Sequence, residues 1–316
     1  MPTIDIPDNF SSVQRPLIFT LRRDESGVVD ISINGYIKQM LGQVVDVNAA
    51  DYYKDGFNPA PLPSAGEEIT THNGGAVQRM TPARIIADGV TSDVSYAVDS
   101  AAQIEQDRFL TDLRPRYYVP GQYDELSAVR DNVGAILALS MQDDPEAVPV
   151  ITPGEDPEPD AVQFKSFAIR TGSATKRYAI LTDPTGAILD AVEFIPLDSC
   201  PGVRLAWVNQ YGVLDYWSFA ITRSKETQVR KSKIYSLCGY TQTSVTAEDT
   251  ATVSTRYQNE STLAALRHLL SSPRVWQINA DNTYSEIDIV TDSCATYTRE
   301  GLNYMQIEYR SRTRRI

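Results

Sequence analysis

The chain has 316 residues, 42% of them apolar and 22% charged, and carries a formal net charge of −12. That length is ample for a sizeable core and comfortable for two domains, and the acidic balance argues against a nucleic-acid footprint spread over the surface. No run of about 18 apolar residues is present, so no membrane-spanning helix is expected, and the opening MPTIDIPDNFSS has neither the basic nor the apolar region of a signal peptide.

In the N-terminal half, Leu17, Phe19 and Leu21 alternate with Ile18, Thr20 and Arg22, a period-two pattern that predicts a strand. DESG at 24–27 reads as a turn, and Val28–Ile33 as a second strand. Tyr36, Ile37, Met40 and Leu41 then recur at helical spacing, with Gly42 where a helix would end. Residues 51–75 are rich in Pro, Gly, Asn, Asp and Tyr and read as a long irregular loop of the kind that often makes contacts. Tyr52, Tyr53 and Phe57 are its candidate interface residues. Further strands are expected at Ala83–Ile86, Val94–Val98 and Ala135–Ser140, and a short helix through SAAQIEQDRFL.

Gln142–Ala161 holds five prolines and seven acidic residues with no Lys or Arg. Such sequence is self-repelling and favours an extended connector. It divides the chain into an N-terminal β-rich domain (1–141), a linker (142–161) and a C-terminal domain (162–316). The linker reads either as solvated sequence or as an acidic arm docking on a neighbouring subunit, with Asp156 and Glu158 as contacts.

The C-terminal half reads as strand after strand: Gln163–Arg170, Lys176–Leu181, Ala187–Phe194, Val203–Val208, Leu214–Thr222, Thr227–Leu237, Ala251–Tyr257, Val275–Ile278, Glu286–Val290 and Asn303–Arg310. DPTG at 183–186, Gly212 and ADN at 280–282 are the turn signals between them. One helix interrupts, at 259–271. Asn259 is a suitable N-cap, Leu263, Leu266, Leu269 and Leu270 form one apolar stripe, and Pro273 stops it. The expected fold is mainly β: two antiparallel sandwich- or barrel-like domains with a few short packed helices.

The usual catalytic signatures are missing, and no enzyme activity, cofactor or metal is expected. His72 and His268 lie far apart in sequence, and Cys200, Cys238 and Cys294 are too sparse for a disulfide framework or a metal site. Asp190 and Glu193 fall on opposite faces of a regular strand. Glu286 and Asp288 share a face but are strand neighbours rather than carboxylates facing each other across a scissile bond. The basic runs RSKETQVRKSK (Arg223 and Lys225 foremost) and RSRTRR (Arg312, Arg314, Arg315) read as solvated edges, as protein contacts or as phosphate-binding patches.

The stretch VRLAWVNQYGVLDYWSF, Val203 to Phe219, is the densest piece of the chain. Val203, Leu205 and Trp207 share one strand face. Gln210, Tyr211 and Gly212 make a turn-like break, and Leu214, Tyr216 and Ser218 oppose Asp215, Trp217 and Phe219 on the return. A β-hairpin follows, its aromatics serving a core, a carbohydrate-stacking surface or a protein interface.

Trp207, Asn209, Gly212, Asp215, Tyr216 and Phe219, with Tyr211 at a free position, fit a Trp-h-Asn-x-x-Gly-x-x-Asp-Tyr-x-x-Phe-like pattern, where h is apolar. This resembles a hairpin in virion proteins of phages and prophages of the Bacteroidetes, followed there also by an Arg/Lys-rich stretch. Phe10, Ser11, Val13, Pro16 and Phe19 are similar to their opening strand, with Leu17 where that pattern has Ile. Arg108 to Val129, and the helix with SSPRVWQINADNTYSEIDIV after it, match further patches in order; the proline-acidic linker has no counterpart. The resemblance implies a tail-associated structural protein of the virion, assembled in the host cytoplasm as a ring with copies of itself and with other tail proteins. The alternative is an adhesin module binding a glycan or receptor, which requires Trp207, Tyr211, Tyr216 or Trp217 to be exposed.

Overall fold

The structure is a computed structural model that describes residues 2–62, 68–131, 137–144, 162–170, 172, 175–183, 185–197, 202–237, 239–292, 297–299, 302–311 and 314–315. The chain is mainly β, and two of its antiparallel sheets curl into half-barrels.

The first sheet is built on a long hairpin, Ile18–Ile33 against Tyr36–Asn48. Phe19, Leu21, Val29, Ile31 and Ile33 alternate onto its buried face together with Val45 and Val47. Two expectations are corrected here. DESG does not reverse the chain: the strand runs through it, and the extra residues are absorbed as a register shift between Arg22 and Gly27, a bulge rather than a turn. The segment from Tyr36 is a strand, not a helix. Asn34 and Gly35 adopt φ of 45° and 84°, the left-handed pair that a tight hairpin turn demands. The ladder they start, Ile33 opposite Tyr36, takes the backbone groups a helix would have used.

The expected loop at 51–75 is also more ordered than its composition suggests. It contains the short helix Ala50–Tyr53, a 3-10 turn at Lys54–Gly56 and the strand Ile69–Asn73. SAAQIEQDRFL forms no helix. The Ala101 and Ala102 N–H groups donate to the Gln210 carbonyl at 2.8 and 3.0 Å, which binds this segment to the central hairpin, and Asp107 breaks any helical run with a φ of 61°.

The middle of the molecule is a sandwich. One sheet pairs Tyr123–Arg130 with Gln163–Arg170, and the latter with Ile69–Asn73. The other pairs Arg116–Tyr118 with Ile188–Pro196, that strand with Arg177–Thr182, and Arg177–Thr182 with Ala138–Gln142. Phe109, Leu126, Ala128, Phe167, Ile169, Leu181, Val192 and Phe194 fill the space between them. Strands from both sides of the Gln142–Ala161 segment therefore share the same two sheets. The linker boundaries expected from composition are not where one sheet ends and the next begins.

The C-terminal sheet runs Leu214–Phe219, Val203–Val208, Val275–Ile278, Tyr284–Ile289, Gln306–Ser311, Gly239–Ser254 and Ile221–Ser236, in that spatial order. It curls around the expected helix, which is split into Glu260–Leu266 and His268–Ser271. Asn259 caps it, accepting a 2.7 Å hydrogen bond from the Thr262 N–H, as its side chain predicts. Leu263, Leu266 and Leu269 pack against Leu205, Trp207, Trp217, Phe219, Val253 and Ile307. Each such side chain contributes about 1.5–3 kcal/mol by leaving water.

Gly212 turns the central hairpin at φ +76°, and a Cβ there would overlap the Asp99 carbonyl oxygen. Gly212→Ala is expected to cost at least about 2 kcal/mol, combining left-handed strain with a backbone clash. Urea unfolding of the variant against the parent chain measures it.

Candidate functional site

Both strands of the central hairpin are buried on both faces. Trp207 and Phe219 are fully covered, and Tyr216 and Trp217 are 3% and 2% exposed. These aromatics are core, so none of the three largest offers a face for stacking on a sugar. Tyr211, at the turn, is half-buried, and its hydroxyl donates to Asp112 at 2.8 Å. Asn209 holds the turn itself: its amide donates to the Leu110 carbonyl at 2.9 Å, and its oxygen accepts from the Tyr211 N–H at 2.9 Å.

Behind the hairpin lies an ionic network. Asp124 bridges two buried guanidinium groups, Arg116 Nη1 at 3.1 Å and Arg204 Nη2 at 2.9 Å. Arg116 also pairs with Asp215, and Thr111 Oγ1 donates to that carboxylate at 2.7 Å. Arg204 donates further to Ser218 Oγ at 2.9 Å and to the Tyr123 carbonyl at 2.7 Å, and lies over the Tyr216 ring at 5.4 Å. Nearby, Arg79 pairs with Glu125, donates to Ser166 Oγ at 2.9 Å, and reaches the Ala60 carbonyl at 3.1 Å.

Burial pushes the carboxyl groups of Asp124 and Asp215 up, and Arg79 and Arg204 down, from their ordinary values. The Arg116 charge opposes that push at both carboxylates. Two arginines facing two aspartates, beside an Arg–Glu pair, leave this network electrically balanced. The network joins the middle sandwich to the C-terminal sheet, and its geometry is that of a latch: the terminal guanidinium nitrogens of Arg116 and Arg204 are directed at carboxylates, hydroxyls and carbonyls of neighbouring strands and turns. Of the charged residues of the network, sequence reading singles out only Asp215. A usable signal was there, since Arg204 and Asp215 interrupt otherwise apolar runs, and a charge in such a place needs a buried partner.

The carboxylate pairs considered for catalysis are ion-paired separately. Asp190 accepts from Arg114 Nη1 at 2.7 Å and from the Phe109 N–H at 2.9 Å, while Glu193 pairs with Lys176. Glu286 lies 3.4 Å from Arg274, and Asp288 3.5 Å from Arg310. A surface cleft of about 640 Å³ beside the first hairpin has Arg84 as its one charged lining residue. Among the described residues no group of three or more His, Cys, Asp or Glu is placed to hold a metal ion, and no helix is long and apolar enough to cross a membrane.

The residues expected at interfaces are scattered. Tyr53 is 5% exposed, and its hydroxyl donates to the Arg84 carbonyl at 2.6 Å, so it belongs to the interior. Tyr52 and Phe57 are half-buried against the same core. Asp156, Glu158 and Arg312 lie outside the described residues. Arg314 and Arg315 form a short strand opposite Ala247 and Thr246.

Arg223 and Lys225 open the feature that sequence reading divided into separate strands. Ile221–Ser236 and Gly239–Ser254 form one hairpin of 16-residue strands. Its base is held by Gln306–Ser311, which pairs with Thr250–Ser254. Toward the tip, beyond Thr246, the described strands pair only with each other. Every residue from Thr222 to Tyr235 is exposed, as are Gly239 to Ser244. The tip carries Ile234, Tyr235, Leu237 and Tyr240, at 60%, 79%, 108% and 59% exposure. The Tyr235 and Tyr240 rings meet at a tilt of 59° with centres 5.9 Å apart, and Lys233 Nζ sits 4.3 Å from the Tyr240 ring centre.

Removing one partner from a buried ion pair strands the other charge, so Asp215→Ala and Asp124→Ala are each expected to destabilise the fold by about 3–5 kcal/mol. Urea unfolding monitored by tryptophan fluorescence reads the loss. At Asp190, burial opposes the charge, but the Arg114 and Phe109 hydrogen bonds outweigh it and hold the carboxyl below its ordinary value. A depressed carboxylate stabilises the fold above the unfolded value of about 3.9 and loses that contribution as pH falls through the folded value. Asp190→Asn should therefore cost about 1–3 kcal/mol at neutral pH and flatten the loss of stability below about pH 4. Unfolding midpoints across pH test this.

Neither a scan against protein-family models nor a search of curated proteins finds a match for this chain.

Proposed function

We propose that the chain is a structural subunit of a phage virion, associated with the tail, that works by assembling with copies of itself and with neighbouring tail proteins. The observation that carries this reading is the projecting hairpin at 221–254. A two-stranded ribbon is marginal in water by itself, and large apolar side chains at its tip add exposed surface that a solitary monomer has no use for. A covering partner accounts for both. The remaining support is the ordered set of sequence patches that resemble tail-region virion proteins. On this reading the hairpin at 203–219 supplies a rigid core and the 221–254 arm supplies the contact.

Mass photometry of the purified full chain over a concentration series tests the proposal. Discrete multiples of the 35.1 kDa monomer mass are expected. A monomer at every concentration, with no association on mixing with tail proteins of the same particle, would overturn it.

A further inference from the structure

A second unpartnered surface lies at the other end of the chain. On the first hairpin, Val28 faces Leu41, Asp30 faces Gln39, and Ser32 faces both Ile37 and Ile86. Alternation puts these residues on the side opposite the core. Val28, Ile37, Leu41, Val44 and Ile86 are there 63%, 75%, 75%, 56% and 42% exposed. Single exposed apolar residues need no explanation, but five on one sheet face form a patch of the kind that marks a contact.

The charges on this face are Asp5, Arg22, Asp30 and Asp46, with Arg84 at its edge in the cleft it lines with Ser32 and Ile86. Arg22 is ion-paired with Asp5 at 2.9 Å. Asp30 accepts from Gln39 at 2.8 Å and Asp46 from Thr20 at 2.7 Å, and among the described residues no salt bridge involves either. Along the hairpin itself the face is thus apolar, with the carboxylates of Asp30 and Asp46 outside any ion pair among the described residues. The tip half of the 221–254 arm is its complement. Between Val229 and Val245 it bears Arg230, Lys231 and Lys233 with no Asp or Glu, alongside Val229, Ile234, Tyr235, Leu237 and Tyr240.

Lysines and arginines along a free strand edge discourage backbone pairing with another strand. The arm is therefore suited to lying across a sheet face through its side chains rather than extending a sheet at its edge.

We infer that the 221–254 arm of one copy seats on the outer face of the 18–48 hairpin of a second copy, its basic tip against Asp30 and Asp46. This deepens the assembly reading and rests on it. The two surfaces differ, so the contact is heterologous: each copy gives an arm to one neighbour and receives one from another. Such contacts close into rings when the rotation between copies permits and run into open filaments when it does not.

The test uses the full chain in three forms, with circular dichroism to verify folding. One form has Arg230, Lys231 and Lys233 changed to Glu, the second has Asp30 and Asp46 changed to Lys, and the third carries both sets. Either set alone is expected to lower the oligomer fraction in mass photometry by about tenfold or more, and the combined form to regain it. Mixing the parent's arm-truncated version (230–245 replaced by a short turn) with the Asp30→Lys, Asp46→Lys form should yield a 1:1 dimer and nothing larger, because the intact arm of the second form can seat on the intact face of the first, while the dimer then offers neither a free arm nor a free seat. Detection of larger rings in that mixture, or a parent oligomer indifferent to all these changes, would overturn the inference while leaving self-assembly standing. A parent chain that never associates would instead sink the assembly reading itself.

Discussion

The constraint on which most of this structure depends is the electrical balance of its interior. Arg116, Arg204, Asp124 and Asp215 come from four strands in two widely separated stretches of the chain, and each would be costly to bury alone. Together with Arg79 and Glu125 they are tolerable only when the middle sandwich and the C-terminal sheet are docked in one relative position. An apolar interface would tolerate small slips between the two sheets; a set of charges that must meet at hydrogen-bond distance does not. The network thus acts on geometry more than on net stability, and geometry is what a subunit in an assembly has to deliver.

That rigidity gives the arm its meaning. A ribbon anchored to a loosely packed body would present its tip in many directions, and each docking event would then bear the cost of selecting one of them. Here the base of the arm continues the same sheet whose opposite edge contains Arg204 and Asp215. Val253 and Phe219 belong to one core, so the orientation of the ribbon is inherited from the interior. The exposed face of the first hairpin is fixed in a comparable way by Phe19, Ile31 and Val47 beneath it.

Much of this was legible along the chain. Runs rich in β-branched and aromatic residues located Gln163–Arg170, Val203–Val208 and Val275–Ile278 to the residue, and Asn259 announced its helix. What escaped notice did so for physical reasons. The Tyr36–Leu41 spacing satisfies a helix as well as a strand, and the deciding residues, Asn34 and Gly35, lie just before it. The bulge at 24–27 uses the residues a turn would use. The arm was read as two shorter strands because Ser, Thr, Lys and Arg alternate there without a buried face to mark continuity. The ion network was the least visible feature, since Arg116 and Asp215 are 99 positions apart and only the fold makes them neighbours. Charges inside apolar runs do signal such a partner, but not which one.

The pairing of Ile69–Asn73 carries one more consequence, for the birth of the chain. Ile69 lies opposite Ile169 and Asn73 opposite Lys165, so this strand has no ladder to join until roughly 100 further residues have been made. At about 5–20 residues per second, it leaves the ribosome some 5–20 seconds ahead of its partner. The first hairpin, whose strands are joined by a two-residue turn, can close at once. The order of synthesis therefore completes the apolar outer face of the first hairpin well before the basic arm exists; on the docking inferred above, a nascent subunit would be able to accept a neighbour before it could reach for one.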